Sequence, residues 1–492
     1  MKRITAIILA ILMLTAILGS CKGKGSPTVT TPSETDTPFA PTTPETEDTT
    51  DYALLVSAPF AELAENPTQD FAFLEENGEI TITGYLGENT RVRIPEQIHQ
   101  KPVTAIADGA FRAHAEITTL YIPDTVTRFG KNVLLGCKGI YALRTPLSTA
   151  EGTEYLGYLY GALSYETNNT ADLRTLAYLE LGGTCAELPK YALYDCNDIV
   201  CIKLPDTVTA LAEYSLYRCE SLKYINAEHL TRVGAHAMHG CKEMTDLAFG
   251  NALQEVGIGA LEECASMRNL TLPFVGKSRT EQMHLAHLFG AKDPTLAASC
   301  YPASFRSVRL LEGCTAIGDH AFFDCAMLRR VSIPNSVTSV GVRAFSGCAR
   351  IEEITFSDAL LTVREHAFSD CASLKTVTLG TGITSLGINA FLNCDALTEI
   401  TLNAPALEEL PSSCFVGCDG LKAVTLSGVK RISASAFRGC GALETVSLGD
   451  VTTVEENAFD GCEKLQTVTA NGSVSFAKGN KIAKTLWKES NK

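Results

Sequence analysis

Two His-x2-His pairs, His236 with His239 and His284 with His287, and eighteen cysteines are the residues of this 492-residue chain whose types and spacing could do chemistry. A zinc centre needs three or four converging ligands, so a histidine pair alone is a weak signal. His236, like His320 and His366, fills a repeated position just before an Ala that elsewhere holds Arg343 or Asn389, which reads as a tolerant surface site. His284 and His287 lie in an irregular stretch with Cys300 nearby, where a metal site stays open beside a structural role. No Gly-rich phosphate loop, G-x-S-x-G elbow or H-E-x-x-H helix occurs. The expectation is a protein with no catalytic residues, no metal and no cofactor.

The cysteines are explained by a repeat. From Cys348 the apolar residues run Ile351, Ile354, Phe356, Leu360, Val363, Ala367, Phe368 and Cys371; from Cys371 the same offsets give Leu374, Val377, Leu379, Ile383, Leu386, Ala390, Phe391 and Cys394. The unit is C-x2-L-x2-V-x-L-x3-V-x2-I-x3-A-F-x2-C, and its terminal slot recurs fifteen times from His114 to Cys462, at 22 to 24 residues with two longer intervals. Cys fills twelve of these slots, and Cys185 and Cys314 sit eleven residues before a slot, where other units have Val337 or Ile383. These positions predict buried free thiols. Cβ vectors that run parallel along a stack suit disulfides poorly, although some disulfides or a metal remain open. Cys201, Cys300 and Cys414 are off register, and Cys201 is expected to point to solvent from its strand.

The L-x2-V-x-L segment alternates like a short strand with one buried face, and Pro123, Pro205, Pro273 and Pro334 stop it from continuing. The other half returns the chain, with Ala leaving room for Phe. A unit with apolar faces it cannot bury alone must stack, which predicts a repeat solenoid with one short parallel strand per rung of about 23 residues. At about 4.8 Å per rung, fifteen rungs span roughly 70 Å.

The pattern resembles the BspA-like, or treponemal-type, leucine-rich repeat family of bacterial surface proteins, over about Phe73 to Ala470. The leading segment adds to the likeness: Gly78 to Tyr85, then Val92-Arg93-Ile94-Pro95, then Pro102 to Ile106 running into Ala110-Phe111. The resemblance implies a curved solenoid that serves in adhesion to host or microbial surfaces. In the N-terminal half the Phe of the A-F pair becomes Leu134, Leu193, Leu216, Met238 and Leu261, apolar exchanges that leave the fold intact.

Residues 1–20 carry Lys2 and Arg3, an apolar run from Ile4 to Leu18, and Leu18-Gly19-Ser20 before Cys21. This is a secretion signal, too short and wrongly flanked for a spanning helix. It resembles the bacterial lipoprotein lipobox, which implies lipidation of Cys21 and a lipid anchor in the cell envelope. From Ser26 to Thr50, ten of 25 residues are Thr, five Pro and five acidic, so residues 21–51 read as a disordered tether. About 30 such residues could extend roughly 90 Å. Residues 52–91 form an N-terminal cap segment, 92–470 the solenoid and 471–492 a C-terminal cap or tail. A formal charge of −15 argues against nucleic acid as a partner.

The two long intervals place insertions near 147–172 and 274–301, which share the pattern Tyr158-Leu159-Tyr160-Gly161-Ala162 against His287-Leu288-Phe289-Gly290-Ala291. They read either as walls of a groove or as wider rungs filled by their own aromatics. On the outward strand positions, late rungs repeat Ser332, Thr355, Thr378, Thr401, Thr425, Ser447 and Thr469, whereas early rungs vary. Tyr121, Arg144, Tyr178, Lys203 and Tyr224, with Tyr158, Tyr160 and His287 of the insertions, are therefore the expected partner-binding residues, since Tyr and Arg are enriched at hot spots. The expected function is non-catalytic binding of an extracellular protein or glycan. A structural envelope protein with self or wall contacts, and a metal-binding or hydrolytic lipoprotein, are the alternatives.

Overall fold

A computed structural model describes residues 57–147, 150, 153–183, 185–480 and 487–489. The signal segment, Cys21 and the Thr- and Pro-rich stretch lie outside the described residues. Alternation makes the strands: in Glu399–Asn403, Ile400 and Leu402 are buried while Glu399, Thr401 and Asn403 are exposed. Parallel pairing then aligns equivalent positions, with Ile400 opposite Val424, Val424 opposite Val446, and Val446 opposite Val468. The result is a parallel solenoid of about 17 turns, each about 23 residues from the next.

The return half of each rung is hydrogen-bonded as well. Two-residue strands such as Ser339–Val340, Thr362–Val363 and Ser385–Leu386 form a second parallel ladder. On the turn side the Phe345 amide donates to the Ala367 carbonyl at 2.7 Å, and Phe368 donates to Ala390 at 2.8 Å. Backbone groups on several sides of a rung thus find partners in the next rung, which lets so narrow a coil bury its interior backbone. The leading turn differs: strand Phe71–Glu76 pairs antiparallel with Glu79–Tyr85, which pairs parallel with Lys101–Ile106.

Two columns of side chains fill the core. In the later rungs Phe322, Phe345, Phe368, Phe391, Phe415, Phe437 and Phe459 stack with ring centroids 4.9–5.3 Å apart. Beside them runs the thiol column, and every described cysteine is free. The thiols also hydrogen-bond: Cys371 Sγ donates to the Phe345 carbonyl at 3.2 Å, Cys394 to Phe368 at 3.2 Å and Cys418 to Phe391 at 3.1 Å. A slot that needs a small apolar body and one weak donor is best met by Cys, since Ala lacks the donor and Ser is more costly to desolvate. Burial pushes the Cys371 thiol up to about 12.

One cysteine departs from expectation. Cys201 is fully buried although its strand position faces outward. Its register partners are Tyr178 on one side and Tyr224 on the other, so the small thiol is flanked along the strand face by two large residues, both half-buried. Burial raises its pKa to about 12.

Candidate binding surface

The outward strand face of the early rungs is occupied by the chain itself. Residues 57–66 lie against it: Phe60 is buried edge-to-face on Tyr121 at 6.2 Å, and the Lys203 ammonium donates to Ser57 Oγ at 3.0 Å. Arg91 donates to the Pro59 carbonyl at 2.9 Å, and Arg93 to the Leu63 carbonyl at 3.2 Å. Tyr121 is held between the guanidinium groups of Arg93 and Arg144, 4.2 and 4.4 Å from its ring centroid. Arg144 is not the exposed anchor expected of it. Its side chain is 11% exposed and pairs with Asp124 at 2.7 Å and Glu180 at 3.3 Å, which offsets the cost of burying the charge. Tyr178 is half-buried and packs edge-on against Tyr141, and Tyr224 is half-buried as well.

The insertions pack inward rather than building walls with these residues. Short 3-10 helices, Leu156–Tyr160 and Leu285–Phe289, take the place of the A-F turn in their rungs. The Leu134 amide donates to Leu159, and Leu261 donates to Leu288, which repeats the regular rung-to-rung bond. Leu156 and Leu285 carry the ladder on by donating to the Ala192 and Ala321 carbonyls, and Tyr160 and Phe289 are buried in the core. Tyr160 is 1% exposed and His287 6%, so neither can touch a partner, whereas Tyr158 is half-buried. His284 and His287 are both buried, burial lowers the pKa of each, and among the described residues no third ligand converges on them.

A surface the sequence reading missed lies on the turn side, between the two insertions. Five and two residues before the terminal slot, successive rungs carry Tyr191 and Tyr194, Tyr214 and Tyr217, then His236 and His239. The outer column starts in the first insertion: Tyr165 stacks on Tyr191 at 3.9 Å, Tyr191 on Tyr214 at 5.6 Å, and Tyr214 on His236 at 5.2 Å. The second column stacks Tyr194 on Tyr217 at 5.0 Å and Tyr217 on His239 at 4.6 Å. All seven rings are half-buried, and Lys190 lies over Tyr191 and Tyr214.

The backbone under the outer column is left-handed, with φ of 63° at Tyr191, 57° at Tyr214 and 54° at His236. Later rungs hold the same conformation with His320, Arg343, His366, Asn389, Ser413, Ser435 and Asn457, of which the Asn residues tolerate it at low cost. Tyr has no such local compensation, so each ring is kept on the surface against a backbone cost of about 1 kcal/mol or more. The signal was present as Tyr-x2-Tyr recurring at the repeat length. Positions that flank the buried A-F pair carry no burial pattern of their own, so only residue type sets these tyrosines apart in the sequence.

The late rungs offer a different surface. Their strand face exposes Thr355, Thr378 and Thr401, beside a cleft of about 410 Å³ lined by Arg329, Arg330, Glu352, Glu353, Lys375 and Thr376. Lys375 and Glu352 pair across rungs at 2.7 Å with both side chains more than half exposed, a contact that water and salt weaken.

The family model for the BspA type Leucine rich repeat region matches residues 89–155, 171–281, 297–422 and 402–487. The chain belongs to this BspA-type leucine-rich repeat family. No curated protein matches the sequence. Among solved structures, a leucine-rich repeat protein from Bacteroides ovatus is 19% identical, with 84% of this chain and 99% of that chain covered and a TM-score of 0.40. A leucine rich cell surface protein from Faecalibacterium prausnitzii is 20% identical, covers 83% of this chain and 95% of its own, and has a TM-score of 0.26. The pneumococcal vaccine antigen PcpA is 13% identical, with 85% and 99% covered and a TM-score of 0.28. The BspA-type rung accounts for the core columns and the two ladders; the tyrosine columns are additions at positions that point away from the core. Among the described residues, no helix is long and apolar enough to cross a membrane.

Proposed function

We propose that this protein is an exported, lipid-anchored cell-surface protein that binds an extracellular protein without catalysis, through the tyrosine columns of its early rungs. The observation that carries the reading is a pair of half-buried ring columns on the surface, the outer of which holds Tyr191 and Tyr214 at left-handed positions where Asn would fold more cheaply. Tyr offers a large, rigid contact with a polar tip at low entropy cost, which is why it recurs at protein interfaces. Because the ring faces stack on one another, what the columns present is mainly ring edges and phenol hydroxyls. That favours a protein partner over a glycan, whose sugar rings would need free aromatic faces.

Anchoring through Cys21 complements this reading. A tether of about 30 residues gives the solenoid room to meet a partner beyond the membrane surface. Labelled fatty acid should be incorporated by the wild type and lost in Cys21→Ala; equal incorporation would refute the anchor. The binding reading is tested by the affinity of the recovered protein partner for Tyr191→Ala with Tyr214→Ala, where a large loss in a folded chain is expected.

A further inference from the structure

We propose that His236, His239 and Glu262, at the end of the two tyrosine columns, form a binding site for a divalent transition cation of the zinc class. One ligand atom from each of the three side chains lies within 4.8 Å of the other two. Glu262 Oε2 is 3.1 Å from His236 Nδ1 and 3.4 Å from His239 Nδ1. Ligands bonded to tetrahedral zinc at 2.0–2.1 Å stand about 3.3–3.4 Å from each other, so the His239 spacing matches an edge of that tetrahedron and the His236 spacing needs to open by only about 0.2 Å. The third ligand comes from the following rung, which is why the His-x2-His pair looked insufficient in the sequence.

Three further features suit a cation better than a plain ion pair. His239 Nδ1 is buried and has no hydrogen-bond partner, although a carboxylate oxygen lies 3.4 Å away. A metal between them would satisfy both. On the other side of the ring, His239 Nε2 is 3.5 Å from Glu263 Oε2. A proton on Nε2 directed at that carboxylate leaves the Nδ1 lone pair free, the outer-shell arrangement usual for histidine ligands. Both rings are held in place by stacking, His236 on Tyr214 and His239 on Tyr217, so the donors are set before anything binds.

The floor of the site is glycine. Gly259 occupies the position that holds Tyr191, Tyr214 and His236 in the preceding rungs, and a Cβ there would come within 2.6 Å of His236 Nδ1 and 2.8 Å of Glu262 Oε2. A Cβ on Gly290, from the second insertion, would come within 2.8 Å of the Glu262 carboxyl carbon. The column of side chains is thus interrupted where the three donors meet. Thiolates are excluded from the donor set, because Cys241 and Cys264 turn inward and donate to the Leu216 and Met238 carbonyls. An imidazole and carboxylate set suits zinc, nickel or copper(II) rather than calcium or magnesium. Three protein ligands leave a fourth position for water or for a donor from a partner.

The test uses the tag-free full chain, stripped with chelator and titrated with zinc chloride by calorimetry. One saturable equivalent is expected, and cobalt(II) in its place should show the visible absorption of a tetrahedral site. His239→Ala and Glu262→Gln should each weaken binding at least about tenfold and abolish the cobalt spectrum, and Glu263→Gln should weaken it by about tenfold. Gly259→Ala should block the site and, because its φ is 65° and the new Cβ crowds the His236 ring, should lower the melting temperature in metal-free buffer. That loss should be modest, with unfolding still cooperative, since non-glycine residues hold the same backbone conformation in other rungs. No saturable binding by the wild type, undiminished binding by Glu262→Gln, or a site that disappears with His284→Ala instead would each overturn the proposal.

Discussion

The same solenoid places its aromatic column inside in the late rungs and outside in the early ones. From Phe322 to Phe459 the rings are in the core, where the A-F turn needs bulk, while the position five before the slot holds Asn, Ser, Arg or His and the position two before it is mixed, with Phe323 the one large ring among them. In the rungs of Tyr191 and Tyr214 the core position shrinks to Leu193 and Leu216, and rings stack on the surface five and two residues before the slot. Stacking inside serves stability alone. Stacking outside, at a left-handed backbone position, costs stability and leaves rings on the surface, and the proposed contact surface rests on that difference.

The sharpest way to break this comparison is to remove a ring from each column. Phe391→Ala should destabilise the late rungs by about 3–5 kcal/mol, because it leaves a cavity between two stacked neighbours. Denaturant unfolding checks it, and a loss below about 1 kcal/mol would mean that the inner column is not the core. The pair Tyr191→Asn and Tyr214→Asn should change stability by less than about 1 kcal/mol, as lost stacking is offset by relief of the left-handed backbone. A loss as large as that of Phe391→Ala would show the outer column to be structural.

Thiol reactivity compares the early strand face with the thiol column of the core. With a pKa of about 12, Cys201 should be no more than about one part in ten thousand thiolate at pH 8, and as slow to alkylate as Cys371 inside the core. Mass spectrometry of native, timed alkylation reads this, and early labelling of Cys201 would mean that its strand-face position is open to solvent. The smallest effect is expected from Thr378→Ala with Thr401→Ala, under about 1 kcal/mol by thermal melting, since these side chains are exposed on the strand face.

The fold was legible because its information is periodic: Ile354, Val377 and Ile400 point inward for the same reason in every rung. The thiol column was legible as burial, but its hydrogen bonds were not, because Cys371 donates to a carbonyl of Phe345, a residue of the preceding rung. The surface was read less well. Arg144 and Tyr121 look like anchors by residue type, yet pairing with Asp124 and covering by Phe60 are contacts to distant residues that no local pattern reveals. Tyr160 and His287 failed for another reason, since an insertion can substitute for the turn it interrupts and carry its aromatics into the core. Glu262 joined the histidines only through the stacking of one rung on the next.

The most direct test of the outer column is the dissociation constant of the recovered protein partner for two double variants with matched melting curves. Tyr191→Ala with Tyr214→Ala should lose about thirtyfold in affinity, the equivalent of roughly 2 kcal/mol for a truncated aromatic hot spot, while Thr378→Ala with Thr401→Ala should bind as the wild type does. Unchanged binding by the tyrosine variant, or a loss confined to the threonine variant, would contradict the account and move the partner site to the late strand face.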